Sequence, residues 1–274
     1  MGALTTWSKV AGSFHSLAIK TDGTLWAWGK NANGQLGLGN TTYYSSPKQV
    51  GALTTWSKIV AGSFHSLATK TDGTLWSFGY NFYGQLGLGN TTDYSSPKQV
   101  GALTTWSNII VGYYNSLATK TDGTLWSWGI NHNGQLGLGN TTNYSSPKQV
   151  GALTTWLNIT GLYSNVIAIK TDGTLWSWGR NNYGQLGLGN LTYRSSPNQV
   201  GALTTWLGIA GSYAHTLAIK TDGTLWSWGA GSSGRLGLGN TTGYSSPKQV
   251  GELTTWSKIG VGFYSSLAIQ TSTT

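Results

Sequence analysis

Apolar and polar residues alternate along this chain in short runs, and no run takes on a helical period. Within residues 51–100 four runs read as strands. Trp56–Ala61 is small and apolar and ends at Gly62. Ser66–Lys70 leads into Asp72-Gly73, a pair suited to a two-residue reversal, and Thr74–Phe78 follows it. After the glycine-rich stretch NFYGQLGLGNTTDY, a fourth strand is expected near Pro97–Val100. A proline that opens a strand cannot donate a ladder hydrogen bond, so this strand belongs on an edge.

The pattern returns every fifty residues with few changes. Repetition at this period describes one supersecondary module that buries its apolar face against its neighbours. Four antiparallel strands per module, the fourth on an edge, describe a β-propeller blade. The expected fold is therefore all-β, a single propeller domain over 1–274. Complete blades are expected at about 1–50, 51–100, 101–150, 151–200 and 201–250, with a two-stranded half-blade at 251–274. Trp26, Trp76, Trp126, Trp176 and Trp226 are expected to fill the space between blades. Strands 1 and 2 occur six times and strands 3 and 4 five times, so the two ends cannot complete one blade together. Three closures are open: six positions with a two-stranded sixth blade, five blades with 251–274 or 1–20 displaced, or strands shared between chains. The edge of the half-blade, Ser266, Leu267, Ala268, Ile269 and Gln270, is the candidate subunit contact, because exposed edges recruit other strands.

The copies differ in few places. After strand 1 the sequence changes as SFHS (63–66), YYNS (113–116), LYSNV (162–166), SYAHT (212–216) and FYSS (263–266). After strand 3 it changes at Lys30, Tyr80, Ile130, Arg180 and Ala230, and at Ala32, Phe82, His132, Asn182 and Ser232. A third changing position holds Tyr43, Asp93, Asn143, Tyr193 and Gly243. In an antiparallel blade both of these connections emerge on one side, while the TDGT turns and GALTT connectors emerge on the other. Loops on a rigid scaffold carry binding residues, and tyrosine with asparagine and serine is the composition of adaptable contact surfaces. The candidate contact residues are Tyr43, Phe64, Tyr80, Phe82, Tyr83, Tyr113, Tyr114, His132, Tyr163, Arg180, Tyr183, Tyr193 and Tyr213. Neutral drift of surface loops is the alternative, and the weight of aromatic residues among the changes argues against it.

Composition narrows the chemistry. The net charge of +9 is spread by repetition through Lys20, Lys70, Lys120, Lys170 and Lys220 before the turns and Lys48, Lys98, Lys148 and Lys248 after the prolines. An even spread argues against nucleic-acid binding, which favours clustered charge. There is no cysteine, hence no disulfide or thiolate chemistry. No apolar run reaches the roughly 18 residues of a spanning helix, and no export signal is recognisable, so the chain reads as soluble with its location unspecified.

The run DGTLWSWGxNxxGQLGLGN, with Gly-x-x-His-Ser-Leu-Ala upstream, resembles the repeat of the regulator of chromosome condensation family. The resemblance implies a propeller, typically seven-bladed, that binds proteins far more often than it catalyses. Relatives implied by it include an exchange factor for a small GTPase, ubiquitin-ligase modules and a β-lactamase inhibitor. The near-identity of the copies resembles repeat arrays of bacterial and bacteriophage genomes.

An enzyme reading finds no support in the residues. Asp22, Asp72, Asp122, Asp172 and Asp222 sit in the hairpin turns, and Asp93 and Glu252 lie in different copies, so no carboxylate pair forms. His15, His65 and His215 share one position and read as donors to a nearby backbone carbonyl, since Asn115, Asn165 and Ser265 fill the same place. No metal and no cofactor are expected. The glycines of Gly34–Gly39 open no helix and read as turns packed on their own blade. The sequence thus points to a binding or structural module for a protein or a surface glycan, a phage fibre or decoration protein among them. A cellular regulator of the exchange-factor or inhibitor type, or an amplified array with no selected ligand, is the alternative.

Overall fold

The computed structural model describes residues 6–161 and 163–271, so Leu162 of the fourth changing segment and the outermost residues of both ends lie outside it. The described residues form five four-stranded antiparallel sheets and one two-stranded sheet, in strand order 1-2-3-4 within each copy. Among them no helix is long and apolar enough to cross a membrane. They fall into two compact units, the described parts of residues 1–131 with 142–152 and of residues 132–141 with 153–274.

The second blade shows how the sequence makes a sheet. Its strands are Trp56–Ala61, His65–Lys70, Leu75–Gly79 and Tyr94–Gln99. The Asp-Gly turn is held by more than its geometry. The Asp72 carboxylate accepts from the Thr74 amide at 2.9 Å and the Thr74 hydroxyl at 2.7 Å, and that hydroxyl accepts from Trp76 Nε1 at 2.9 Å. These bonds hold the Asp72 carboxyl below its ordinary pKa. Gly73 takes φ +77°, and a Cβ there would stand 2.0 Å from the Thr104 carbonyl oxygen, so the turn presses directly on the next connector. Lys70 lies 3.6 Å from the Trp76 ring, which gives this repeated cation an aromatic partner.

The fourth strand begins three residues earlier than expected, at Tyr94, and Pro97 lies inside it. Gly79 pairs with Tyr94 and Ser77 with Lys98, so the residues between them bulge out of the ladder. Proline is tolerated there because no ladder bond is required of it. The bulge also frees the Ser95 carbonyl, which accepts from the Gly39 amide of the preceding blade at 2.8 Å.

The cores of both units lie between successive blades, and first strands of neighbouring blades touch within each unit. The expected tryptophans are only partly buried. The fully buried rings are Phe78, Trp128, Trp178 and Trp228, two residues further along strand 3. The strand period of two points both rings to the same face, and the second is the one covered by the loop of the preceding blade. Trp128 Nε1 donates to the Gln85 carbonyl of the preceding blade at 2.9 Å. A Cβ on Gly87 would stand 2.8 Å from that nitrogen, so the loop glycine clears room for the next blade rather than for its own.

The shared histidine position bridges blades instead of bonding a local carbonyl. His15 Nε2 lies 2.7 Å from Ser66 Oγ, and His65 Nε2 lies 2.9 Å from Ser116 Oγ. Each serine hydroxyl then donates to a glutamine carbonyl of the preceding loop, Gln35 or Gln85, at 2.8 Å. Burial lowers the His15 pKa to about 4 and, with His15 nearby, the His65 pKa to about 3. Both rings are therefore neutral at physiological pH.

Candidate functional site

The two changing segments of a blade meet because of one backbone bond. The Tyr80 amide donates to the Phe64 carbonyl at 3.0 Å, and the equivalent bond recurs from Lys30 to Phe14, Ile130 to Tyr114, Arg180 to Ser164 and Ala230 to Ala214. The loop after strand 1 and the loop after strand 3 thus form one surface in every blade. On the other side, the Trp106 amide donates to the Gly73 carbonyl, tying the constant turn to the constant connector.

In the first unit this surface is a continuous aromatic cluster. Phe64 stacks on Tyr114 at 5.3 Å with 16° between planes and meets Tyr113 edge-on at 5.2 Å. Tyr83 lies 5.1 Å from Tyr114, and Tyr80 lies 5.7 Å from it. Phe82 continues the cluster outward, stacked on Tyr80 and edge-on to Tyr83, and remains 63% exposed. Burial, with Tyr113 and Tyr80 adding to it, raises the Tyr114 pKa to about 12, so this ring presents a phenol.

The second unit carries its own cluster. Tyr213 stacks on Phe263 at 5.1 Å, meets Tyr163 edge-on at 4.7 Å and lies 6.0 Å from Tyr183. The Arg180 guanidinium sits 4.8 Å above Tyr213 and donates to Asn182 Oδ1 at 2.9 Å. A cleft of about 420 Å³ opens beside these rings.

Of the residues expected from the sequence, the structure brings Phe64, Tyr80, Phe82, Tyr83, Tyr113 and Tyr114 into one cluster and Tyr163, Arg180, Tyr183 and Tyr213 into the other. Tyr43 and Tyr193 are exposed just before strand 4 and join neither cluster. His132 is exposed at the start of the third blade's long loop. Five contributors were missed. Phe14 and Lys30 reach the first cluster, with Lys30 Nζ 5.0 Å from the Phe64 ring. Phe263, Tyr264 and Arg235 reach the second, with the Arg235 guanidinium 5.1 Å from the Tyr264 ring. Four of the five occupy copy positions whose counterparts are candidates in the sequence, and the fifth, Arg235, stands where four copies hold glutamine.

The half-blade ends in strand Ser266–Gln270, which pairs with Trp256–Val261. In complete blades the other side of strand 2 is covered by strand 3, and Leu67 there is fully buried. Leu267 is 73% exposed and Ile269 is 58% exposed. Among the described residues, no three His, Cys, Asp or Glu side chains gather as a metal site would require.

The regulator of chromosome condensation (RCC1) repeat matches residues 22–69, 72–119, 122–161, 172–219 and 222–269. Each match starts at the aspartate of a TDG turn and runs into the first strands of the next copy, so the family's unit takes strands from two successive sheets. A 40-residue stretch is 50% identical to mouse Protein RCC2 and 48% identical to the human protein, covering 15% of this chain and 8% of theirs. Human WBSCR16 is similar in fold over 98% of this chain and 73% of its own, with a TM-score of 0.84 and 22% identity. Prp20p of Saccharomyces cerevisiae, solved with a study of its binding to Gsp1p and histones, gives 0.83 and 20% over 97% of this chain and 69% of its own. The same yeast protein has also been solved with Kap60. With five repeat matches over most of its length and this blade architecture, the chain belongs to the RCC1 repeat family.

Proposed function

We propose that this chain is a non-catalytic binding module whose partner is a protein, held on the face formed by the variable aromatic loops. One observation carries the reading: two changing segments per blade, far apart in sequence, are joined by a backbone bond and merge across blades into one ring cluster. Aromatic rings supply large contact area at small entropic cost and are enriched among residues that dominate binding energy. The yeast neighbour's binding to Gsp1p and histones supports a protein partner for this family member. A virion component and a cellular regulator are the two settings such a module fits. An affinity pull-down from host lysate compares the wild type, Tyr80→Ala with Tyr83→Ala, and Leu103→Ser on the connector face. Partners retained by wild type and by Leu103→Ser are expected to fall at least tenfold in the double variant. Equal recovery by all three ends the proposal.

A second reading, favoured by the exposure of Leu267 and Ile269, has two copies meet along the Ser266–Gln270 edge. Light scattering would then give twice 29.1 kDa, and Leu267→Glu with Ile269→Lys would return the single mass. A single-chain mass for the wild type ends this reading.

A further inference from the structure

The fifth copy departs from the others in its long loop, at several positions together. Ala230, Gly231, Ser232 and Ser233 stand where the second copy has Tyr80, Asn81, Phe82 and Tyr83, and Arg235 replaces glutamine. The last change removes a side-chain acceptor that holds the loop backbone in the other copies. In the other copies the glutamine Oε1 accepts from an amide two residues earlier, as Gln85 does from Tyr83 and Gln185 from Tyr183, both at 2.9 Å. Arginine has no acceptor to offer. The loop instead forms a 3-10 turn over Ser232–Gly234, in which Ser233 takes φ +63°, the only positive φ of a non-glycine among the described residues.

The arginine is 7% exposed. Its Nε donates to the Ser232 carbonyl and its Nη2 to the Ser232 hydroxyl, both at 2.8 Å, and Nη1 reaches the Phe263 carbonyl at 3.4 Å. All three partners are neutral. A carboxylate is what a guanidinium fork matches, and a buried charge without one is costly. The chain has seven acidic residues, of which five lie in the TDG turns, Asp93 is bonded to the Asn81 amide in the second blade, and Glu252 lies in a connector. The acids thus sit on the constant turns, in another blade's loop, or in a connector, and the fifth long loop has none. The charge is felt nearby: burial first, then Arg235, lowers the His215 pKa to about 4, against a backbone bond at Ser265.

Arg235 lines the cleft of about 420 Å³, a volume within the range of small-molecule sites. Ala230 and Ser232 leave room where the second blade has Tyr80 and Phe82. Tyr183, Tyr213, Phe263 and Tyr264 supply ring faces and hydroxyls around it. Ring faces beside hydroxyls suit the C–H faces and hydroxyl rim of a sugar, and a buried arginine suits an acid. We propose that this cleft binds the carboxylate-bearing sugar residue of an acidic glycan, its carboxylate paired with Arg235 and its ring against the tyrosine walls. This inference does not rest on the protein-partner reading.

Calorimetric titration with 3′-sialyllactose, a glucuronate-containing disaccharide and neutral lactose tests it on the full chain. At least one acidic sugar is expected to bind ten times or more tighter than lactose, more weakly as salt rises. Arg235→Gln, which restores the residue of the other copies, should bring that sugar down to the level of lactose. Tyr264→Ala, at an exposed position, should weaken binding without unfolding the chain, and keeps the test decisive if Arg235→Gln does not fold. Equal binding of acidic and neutral sugars, no binding of either acidic sugar, or wild-type affinity in a folded Arg235→Gln overturns the proposal. Binding of a glutamate-rich peptide in place of both sugars overturns it in favour of an acidic protein segment.

Discussion

Trp128→Ala is expected to destabilise the first unit by about 3–5 kcal/mol, the range for emptying a large ring from a core. The ring is wholly buried, and it packs with Leu67, Leu75, Val100 and Ile109 across the boundary between the second and third blades. Its Nε1 also bonds the Gln85 carbonyl, in the loop that carries Tyr83. The substitution therefore loosens the loop surface as well as the core. Trp128→Phe is the matching control, because the second blade carries Phe78 at this position. It should cost far less, since the Ser116 hydroxyl still satisfies the Gln85 carbonyl. Urea denaturation followed by circular dichroism measures both. Equal costs for the two variants would show that this ring does not couple the blades.

Acid is expected to unfold the first unit through its two buried histidines. His15 and His65 have folded pKa values of about 4 and about 3, both below the ordinary value of 6.5, chiefly because burial disfavours the charged ring. Below pH 6.5 the unfolded chain takes up protons that the folded chain refuses, so stability falls with pH until the folded pKa is reached. The window runs from pH 6.5 down to about 4 for His15 and about 3 for His65. At pH 5 each histidine is expected to remove about 2 kcal/mol relative to pH 7.5. Asn115 occupies the same position in the third blade and does not titrate, so His15→Asn with His65→Asn is a variant suggested by the array itself. Its denaturation midpoint should change much less between pH 7.5 and 5.0 than that of the wild type. Parallel pH dependence in the two proteins would mean that other groups govern acid stability.

Much of this was readable from the residues. Alternation between Trp56 and Phe78, with Asp72-Gly73 between strands, specifies local hairpins, and antiparallel order alone puts the loop around Phe64 beside that around Tyr80. What escaped the sequence depends on the offset between sheets. That offset decides that Phe78 and not Trp76 is wholly covered, that His65 reaches Ser116, and that Pro97 sits in a bulge whose freed carbonyl accepts from the preceding blade's loop. These contacts join residues about fifty apart in chain order and have no local signature. Arg235 was visible as a break in the GQLG run, but its burial and its neutral surroundings are properties of the packed loop.

A partner is expected to dock on the variable loop face and not on the constant turn face. A photo-crosslinking phenylalanine analogue placed at Phe82, and in a second protein at Leu103, tests it most directly, since both side chains are exposed. Irradiation in host lysate should give a discrete covalent adduct from position 82 and none from position 103. Adducts from position 103 alone, or from both positions in equal yield, would contradict the account.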